Sequence, residues 1–492
     1  MKTPTVAVLD VGKTNKKVRL YDRKFRVLAE ERTSIEPYLI DGLEVENTDT
    51  LMEWFCITLK KLSPHFDIQT IAVSAHGATC AVLNEQKQLV HPVLSYTASK
   101  GEEILDEFYA TFGDRIRLHR ETCSPDLGFA NVGKHLFYLK VRKPEAWKAA
   151  RFALFYPGYI GFALTGKLGM ETTYLGNHTY LWNFKEWKWS SVAKTLHVDH
   201  MFPAQLSSPW DLLGHLRPDL ACACEMDTSC QVTQGIHDSN ANFLPYLAQG
   251  YSNFLLNSTG TWCVLMRQAD QPNLTDEEIE AKVFFNLDAL GKPVRTCLFP
   301  AGMEYDTFRG FTKERDQNDT GAVRKVIAER KLFVIPGVLS GAKPFPNATP
   351  RVVNGETEYP LQTLQARDDK PMTLLGQDYY AALNITLALA TRRMLRLCGV
   401  EQGTKVFVEG GFANNIPYCE VLATICPEIE VLLTSVKEGT SFGAALTGWM
   451  LREGLSLKRV GKEFEIETSR VMSRDFGDIA SYQNDFEKLV AR

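Results

Sequence analysis

The sequence predicts a two-domain α/β protein, and three observations carry that prediction. At 492 residues the chain exceeds what one hydrophobic core usually serves. Short apolar runs of strand character alternate along it with segments of helical spacing. A strand, glycine turn, strand pattern at its start returns in 251–266, where a second unit would begin. The boundary is placed between residues 243 and 244, giving units 1–243 and 244–492.

In chain order, Val6–Leu9 and Lys17–Tyr21 read as strands around a glycine-containing turn. Further strands are expected at Arg26–Glu30, Thr70–Ser74 and Ala81–Leu83. Helical spacing marks Leu51–Leu62, Ala98–Phe112 and Val132–Val141. In 251–266, YSNFLLNSTGTWCVLM, an apolar run, a small polar turn and a second apolar run repeat the layout of 5–22, with Gly260 in the place of Gly12. Residues 268–370, rich in Pro, Asp and Asn, read as loops and short strands, with Glu304 and Asp306 at the surface. The stretch 405–425 reads as strand, Gly-Gly turn and helix, and 436–454 as a loop entering a helix through small residues.

Composition narrows the function classes. Apolar residues at 45% and charged residues at 23% describe an ordinary globular chain. A net charge of −4 and a pI near 6.3 signal neither a nucleic-acid nor an anionic-membrane partner, so small molecules are the expected partners. Asn384, Arg392, Arg393 and Arg396 interrupt the most apolar helical stretch, Tyr379–Val400, and rule against a membrane span. Met1-Lys2-Thr3-Pro4 leads straight into a strand with no secretory apolar region, and eleven scattered cysteines suit reduced thiols; a cytoplasmic location is expected. Cys222, Cys224 and Cys230 lack a C-x-x-C pair or a nearby His, and read as thiols rather than a metal site.

The opening stretch TVAVLDVGKTNKKVRLYD contains Gly-Lys-Thr, yet it is no P-loop: the first glycine is absent and a strand follows where a helix should. Asp10 ends a strand, and Gly12, Thr14, Asn15 and Lys17 occupy a tight turn. Such a turn offers N–H groups and hydroxyls to a phosphate, with a carboxylate placed to hold Mg²⁺ through water. Alone, it reads rather as an Asp-Gly hairpin with a solvated lysine pair.

Four landmarks in order resemble the FGGY carbohydrate kinases of the actin-like ATPase superfamily. Asp10, Gly12, Thr14 and Lys17 match the D-x-G-T-T/S-x-x-R/K turn. Asn257-Ser258-Thr259-Gly260-Thr261-Trp262 is similar to the second phosphate loop, nearest the form of the L-rhamnulose kinase branch. Glu409-Gly410-Gly411-Phe412-Ala413-Asn414 resembles the G-G-G-x-x-N adenosine motif, and Glu438-Gly439 with Gly443-Ala444-Ala445 the second signature. The resemblance implies a two-domain actin-like (ribonuclease H-like) fold with ATP and Mg²⁺ in the interdomain cleft. It implies an enzyme that moves the γ-phosphate of ATP to a hydroxyl of a small sugar such as L-rhamnulose, L-fuculose or xylulose. Gly260, Thr261 and the turn at 10–17 would hold phosphates, Gly410, Gly411 and Asn414 the adenosine, and Asp10 the metal.

The same resemblance makes Asp238, in QGIHDSNANFLP, the general base; locally it also reads as a helix cap. His237 would contact the sugar or bond locally. Val73-Ser74-Ala75-His76-Gly77 aligns with a G-Q-M-H-G segment, making His76 and Gly77 sugar ligands, with a buried strand-end histidine as the plain alternative. Tyr96-Thr97-Ala98-Ser99-Lys100 stands where the family has W-x-D-x-R, losing the Asp and exchanging Arg for Lys. The phosphate machinery thus matches better than the sugar pocket. For Trp182, Trp187 and Trp189 in LWNFKEWKWS the resemblance implies a packing hairpin away from the cleft rather than a sugar platform. The competing reading is a sugar-sensing ATP-binding protein without efficient turnover; the assembly state, a homodimer included, is left open.

Overall fold

The computed structural model describes residues 2–312, 319–339, 344–366, 371, 374, 376–434, 436 and 438–492. Two sheets dominate it, and strand parity explains how each is covered. In Thr3–Val11, Ala7, Leu9 and Val11 enter one core with Leu51, Phe55 and Leu59 of the helix Thr48–Leu62. Val6 and Val8 point the other way, onto Ala444, Ala445 and Trp449 of the helix Gly439–Glu453. Successive side chains leave opposite faces of a strand, so one run of apolar residues feeds two cores. Phe254–Thr259 repeats the device: Leu255 faces one core, and Phe254 and Leu256 another.

The first sheet runs in the order Leu212–His215, Gln231–Thr233, Phe66–Ala75, Thr3–Val11, Asn15–Tyr21, Val27–Ser34. The second runs Thr468–Arg470, Ile429–Thr434, Thr404–Gly410, Phe254–Thr259, Cys263–Gln268, Pro293–Phe299, with Phe284–Leu287 beyond. In both, successive neighbours pair antiparallel, parallel, parallel, antiparallel, antiparallel. The repeat seen in the sequence as layout alone is therefore a repeat of topology. Each glycine turn joins the two strands of its sheet's central hairpin.

Between the sheets lie two helices, Asp238–Ala248 and Gly439–Glu453, packed on each other. Ala241, Leu244 and Ala248 face the first sheet's core, while Phe243 and Tyr246 face that of the second. The expected boundary at 243/244 falls inside the first of these helices. Pro245 has no N–H to offer the Ala241 carbonyl. That carbonyl lies against Gly443, where any Cβ would overlap its oxygen.

The other expected strands and helices appear with ends shifted by a few residues, except that Ala98–Phe112 begins as a 3₁₀ turn, Ser99–Ile104, before the helix Leu105–Phe112. Residues 268–370 depart from the expectation. Besides strands they form the helices Ala301–Arg309 and Thr320–Glu329, whose apolar residues Phe308, Val323, Val326 and Ile327 sit in the second core; burial of that face outweighs the weak helix propensity of a residue such as Asp306. Within that stretch 313–318, 340–343 and 367–370 lie outside the described residues. The tryptophan hairpin packs as expected: Trp182 meets Trp189 edge to face, and Trp189 stacks on Phe202. Cys224 and Cys230 are buried, Cys222 is exposed, and all are free thiols.

Gly443→Val would drive a branched side chain into the Ala241 carbonyl. It is expected to cost about 3 kcal/mol of stability, read as a lowered urea midpoint at unchanged slope.

Candidate active site

Asp10 sits at the end of its strand, opposite Lys17 in the hairpin register. Its carboxylate is 7% exposed and accepts a 2.7 Å hydrogen bond from Ser441 Oγ, on the second central helix. Burial pushes Asp10 up to about 6; Ser441 and Lys17 oppose the shift, and the Asp238 and Glu438 carboxylates add to it. Lys17 does not project freely toward a ligand. Its ammonium is paired with Glu438, whose carboxylate also meets Arg19 at 3.1 Å and Arg32 at 3.5 Å. Thr14 and Asn15 form the exposed tip of the turn, with Gly12 half-buried beneath them.

Asp238 opens the first central helix, and its side chain keeps 30% of its exposure. Oδ1 accepts from Ser239 N at 2.6 Å and Ser239 Oγ at 3.3 Å. This is not a helix cap: the N-cap residue is His237, whose side chain makes no capping bond. Burial raises the Asp238 pKa against His76 and the Ser239 donors. His237 has both ring nitrogens engaged locally, Nε2 with Asn177 Nδ2 at 2.6 Å and Asp238 Oδ1 at 3.1 Å, and Nδ1 with Asn240 Nδ2 at 3.3 Å. Burial depresses it to about 3, so it is neutral near pH 7. His76 is also buried and held below its ordinary value by burial. Its ring packs on Tyr96 at 5.2 Å and Tyr156 at 5.0 Å, while its Nε2 has no hydrogen-bond partner. Gly77 lies against Asn177 and His237, where a Cβ would come within 2.8 Å of the amide nitrogen. Strand ends and one helix start thus bring Asp10, His76, Gly77, Tyr96, His237 and Asp238 into one cluster.

The second hairpin lines a different cavity, of about 270 Å³. Gly260, Thr261, Gly411 and Asn414 line it as a group; Gly410 lies just behind. Gly410 adopts φ 79°, and a Cβ there would overlap the Thr259 carbonyl oxygen. Thr259 Oγ1 donates to Glu409 O and accepts from Phe412 N at 3.0 Å, tying hairpin to turn. The sequence reading missed Gly302, Tyr305, Asp306 and Tyr380, which complete the wall. A signal was present: 302, 305 and 306 follow the i, i+3, i+4 spacing of one helix face. Glu304, expected at the surface, is instead 2% exposed, and Oε1 accepts from Gly337 N and Val338 N, each at 2.8 Å. Two residues from Asp306, it falls on the opposite, core-facing side of the helix. Glu409, a departure from the Gly-Gly-Gly pattern, accepts from Asn242 Nδ2 at 2.8 Å and from Tyr246 OH. Burial raises it to about 7.

The donor set near Asp10 suits Mg²⁺ in one particular way. Among the described residues no three His, Cys, Asp or Glu side chains form a metal cage. A single buried carboxylate with a second, Asp238, close by is what a cation needs when its other ligands are waters and phosphates.

Because the folded Asp10 pKa lies above its ordinary 3.8, the buried group favours folding when protonated and disfavours it once ionised. Its contribution is lost as pH rises from about 4 to 6, at about 1.4 kcal/mol per pH unit. Asp10→Asn is therefore expected to melt higher than the parent at pH 7 without ligands. The gap should close below pH 4, as read by thermal melts across pH.

Comparison with known proteins fits this arrangement. Residues 5–244 match the N-terminal domain of the FGGY family of carbohydrate kinases, and 252–456 the C-terminal domain of carbohydrate kinase FGGY. The L-fuculokinase of Escherichia coli strain K12 is 23% identical over 467 residues, covering 91% of this chain and 93% of its own. Among solved structures, a carbohydrate kinase from Novosphingobium aromaticivorans superposes with a TM-score of 0.83 at 26% identity, over 100% of this chain and 99% of that one. A ligand-bound xylulose kinase from Lactobacillus acidophilus gives 0.80 at 16% identity, over 99% and 97%. With both halves matched in order and the hairpins, turns and carboxylates in place, the chain belongs to the FGGY family of carbohydrate kinases and is a phosphotransferase.

Proposed function

We propose that this protein transfers the γ-phosphate of ATP to a hydroxyl of a small ketose, with Asp238 as general base. The observation that carries the reading is the placement of Asp238 beside Asp10 and His76, at the start of a helix that lies between the two hairpins. Units 1–243 and 244–492 divide the work, the first holding the sugar and the first phosphate turn, the second the other phosphate turn and the adenosine. Gly260, Thr261 and the backbone of the 12–15 turn bind phosphates, and Gly411 and Asn414 face the nucleotide from the cavity wall. Asp10 holds Mg²⁺ through water, and the ion neutralises charge on the phosphates when bound.

Asp238 accepts the proton of the attacking hydroxyl as that oxygen bonds to the γ-phosphorus and the bond to ADP breaks. Its raised pKa makes it a stronger base than an exposed aspartate. His76 presents its unpartnered Nε2 to a sugar hydroxyl, with Tyr96 behind it. His237, engaged on its two ring nitrogens by Asn177 and Asn240, has little left to offer the substrate. The second phosphate loop favours an L-ketohexose or its 6-deoxy form, such as L-rhamnulose or L-fuculose, and the names of similar proteins add L-fuculose and xylulose to the panel.

The test is ADP release with Mg²⁺-ATP across ketoses, aldoses and polyols, with Asp238→Asn in parallel. One sugar should stand out, and the variant should lose about 10³-fold in kcat while its KM for ATP stays near the parent's. If no sugar raises ADP release above the sugar-free rate while ATP still binds, the kinase reading falls and the sensor reading replaces it.

A further inference from the structure

Lys13 is the residue that the matched phosphate turn does not explain. The pattern places a threonine there, between Gly12 and Thr14, and this chain places a lysine. Its ammonium does not stay with the turn. It reaches Glu46 Oε1 at 2.6 Å, bonds Ser95 Oγ, and lies 5.2 Å from the centre of the Tyr96 ring. The Glu46 side chain is 3% exposed and that of Lys13 20%, so the pair is mostly shielded, with the cation at its open edge. Lys16, itself 2% exposed, donates to the Lys13 carbonyl at 2.7 Å and fixes the turn from beneath.

The pair stands in the wall that carries His76 and Tyr96. The His76 ring packs on Tyr96, and the charges of Glu46 and Asp238 both act on His76 and on Tyr96. The residues aligned with the W-x-D-x-R segment supply neither charge to this wall: Ala98 is buried and apolar, and the Lys100 ammonium is spent on the Asp41 carbonyl. An acid and a cation are nevertheless present beside Tyr96, from elsewhere in the chain.

We propose that Lys13 and Glu46 form the specificity subsite of the sugar pocket, a carboxylate and ammonium that together read adjacent hydroxyls of the acceptor. With Glu46 Oε1 taken by Lys13, the ammonium at the open edge donates to one hydroxyl and the carboxylate's other oxygen accepts from its neighbour, so the pair distinguishes epimers by the direction of each O–H. Because Glu46 already neutralises Lys13 and Asp238 adds a negative charge, the pocket selects an uncharged sugar over a sugar acid. The proposal rests on the kinase reading for its turnover measurement and on sugar binding alone for the rest.

The experiment compares the parent with Lys13→Met, Glu46→Gln, Glu46→Asp and the double variant Lys13→Met/Glu46→Gln. The double variant removes both charges, so neither is left buried alone; Glu46→Asp keeps the charge and withdraws it by one methylene. Each is assayed with single-carbon epimers of the best ketose and with gluconate, and sugar binding is followed separately by ligand-detected NMR. The expected result is a rise of about tenfold or more in KM for the sugar, with the order of kcat/KM among epimers changed and, in the single Glu46 variants, the ATP affinity without sugar held within about twofold. A uniform loss across all sugars, or a change in ATP affinity with sugar KM intact, overturns the proposal. A parent that binds a sugar through this pair without turnover leaves the subsite standing and removes the kinase reading. A parent that neither binds nor phosphorylates any sugar of the panel removes both.

Discussion

The close contact between Asp238–Ala248 and Gly439–Glu453 is the constraint on which the site depends. At one end of the pair, Asp238 and Glu438 enter the cleft from the two helix starts, and Ser441 reaches Asp10. One turn further on, Asn242 bonds both Ser258 of the second hairpin at 3.2 Å and Glu409 of the strand Thr404–Gly410. Moving the helices apart would therefore shift Asp238, the Ser441 partner of Asp10 and the strand Phe254–Thr259 together. Backbone touching backbone is possible here because one helix offers a glycine, where the other has a carbonyl that a proline leaves without a helical donor.

Electrostatics explains why the arrangement is worth its strain. Asp10, Asp238 and Glu409 are acids in a place that resists their charge, and the nearest cations, Lys17 and Arg19, are shared with Glu438. Without ligands, Asp10 and Asp238 place surplus negative charge in the cleft wherever both are ionised. A divalent cation would relieve that surplus, which couples metal binding to the order of the site. Lys17 held by Glu438 also ties the first sheet's hairpin to the second central helix, an ion pair between the same two parts that Ser441 joins to Asp10.

How much of this was legible in the sequence can be judged residue by residue. The hairpins at 5–22 and 251–266, the strand and turn at 405–411, and the helix at 439–453 stand where their patterns put them. Asp10, Asp238 and His76 were named from motifs, and they do meet. Glu304 was misjudged because 268–370 read as loops, where acids stay at the surface, whereas on the helix Ala301–Arg309 Glu304 and Asp306 point apart. Glu46, Ser95, Asn242 and Ser441 carried no motif of their own, and their partners lie tens to hundreds of residues away.

The sequence by itself determined the local physics: alternating apolar residues that make strands buried on both faces, glycines at turns that admit little else, and helix starts that present acids. It also determined that the same layout occurs twice. Only the tertiary structure decided which charges meet. Lys13 turns from its phosphate hairpin to Glu46, Lys17 is claimed by Glu438, and Glu409 folds back onto Asn242 and Tyr246. The reason is physical: propensity and periodicity act over a few residues, whereas a buried charge takes whatever partner the packed chain brings within reach.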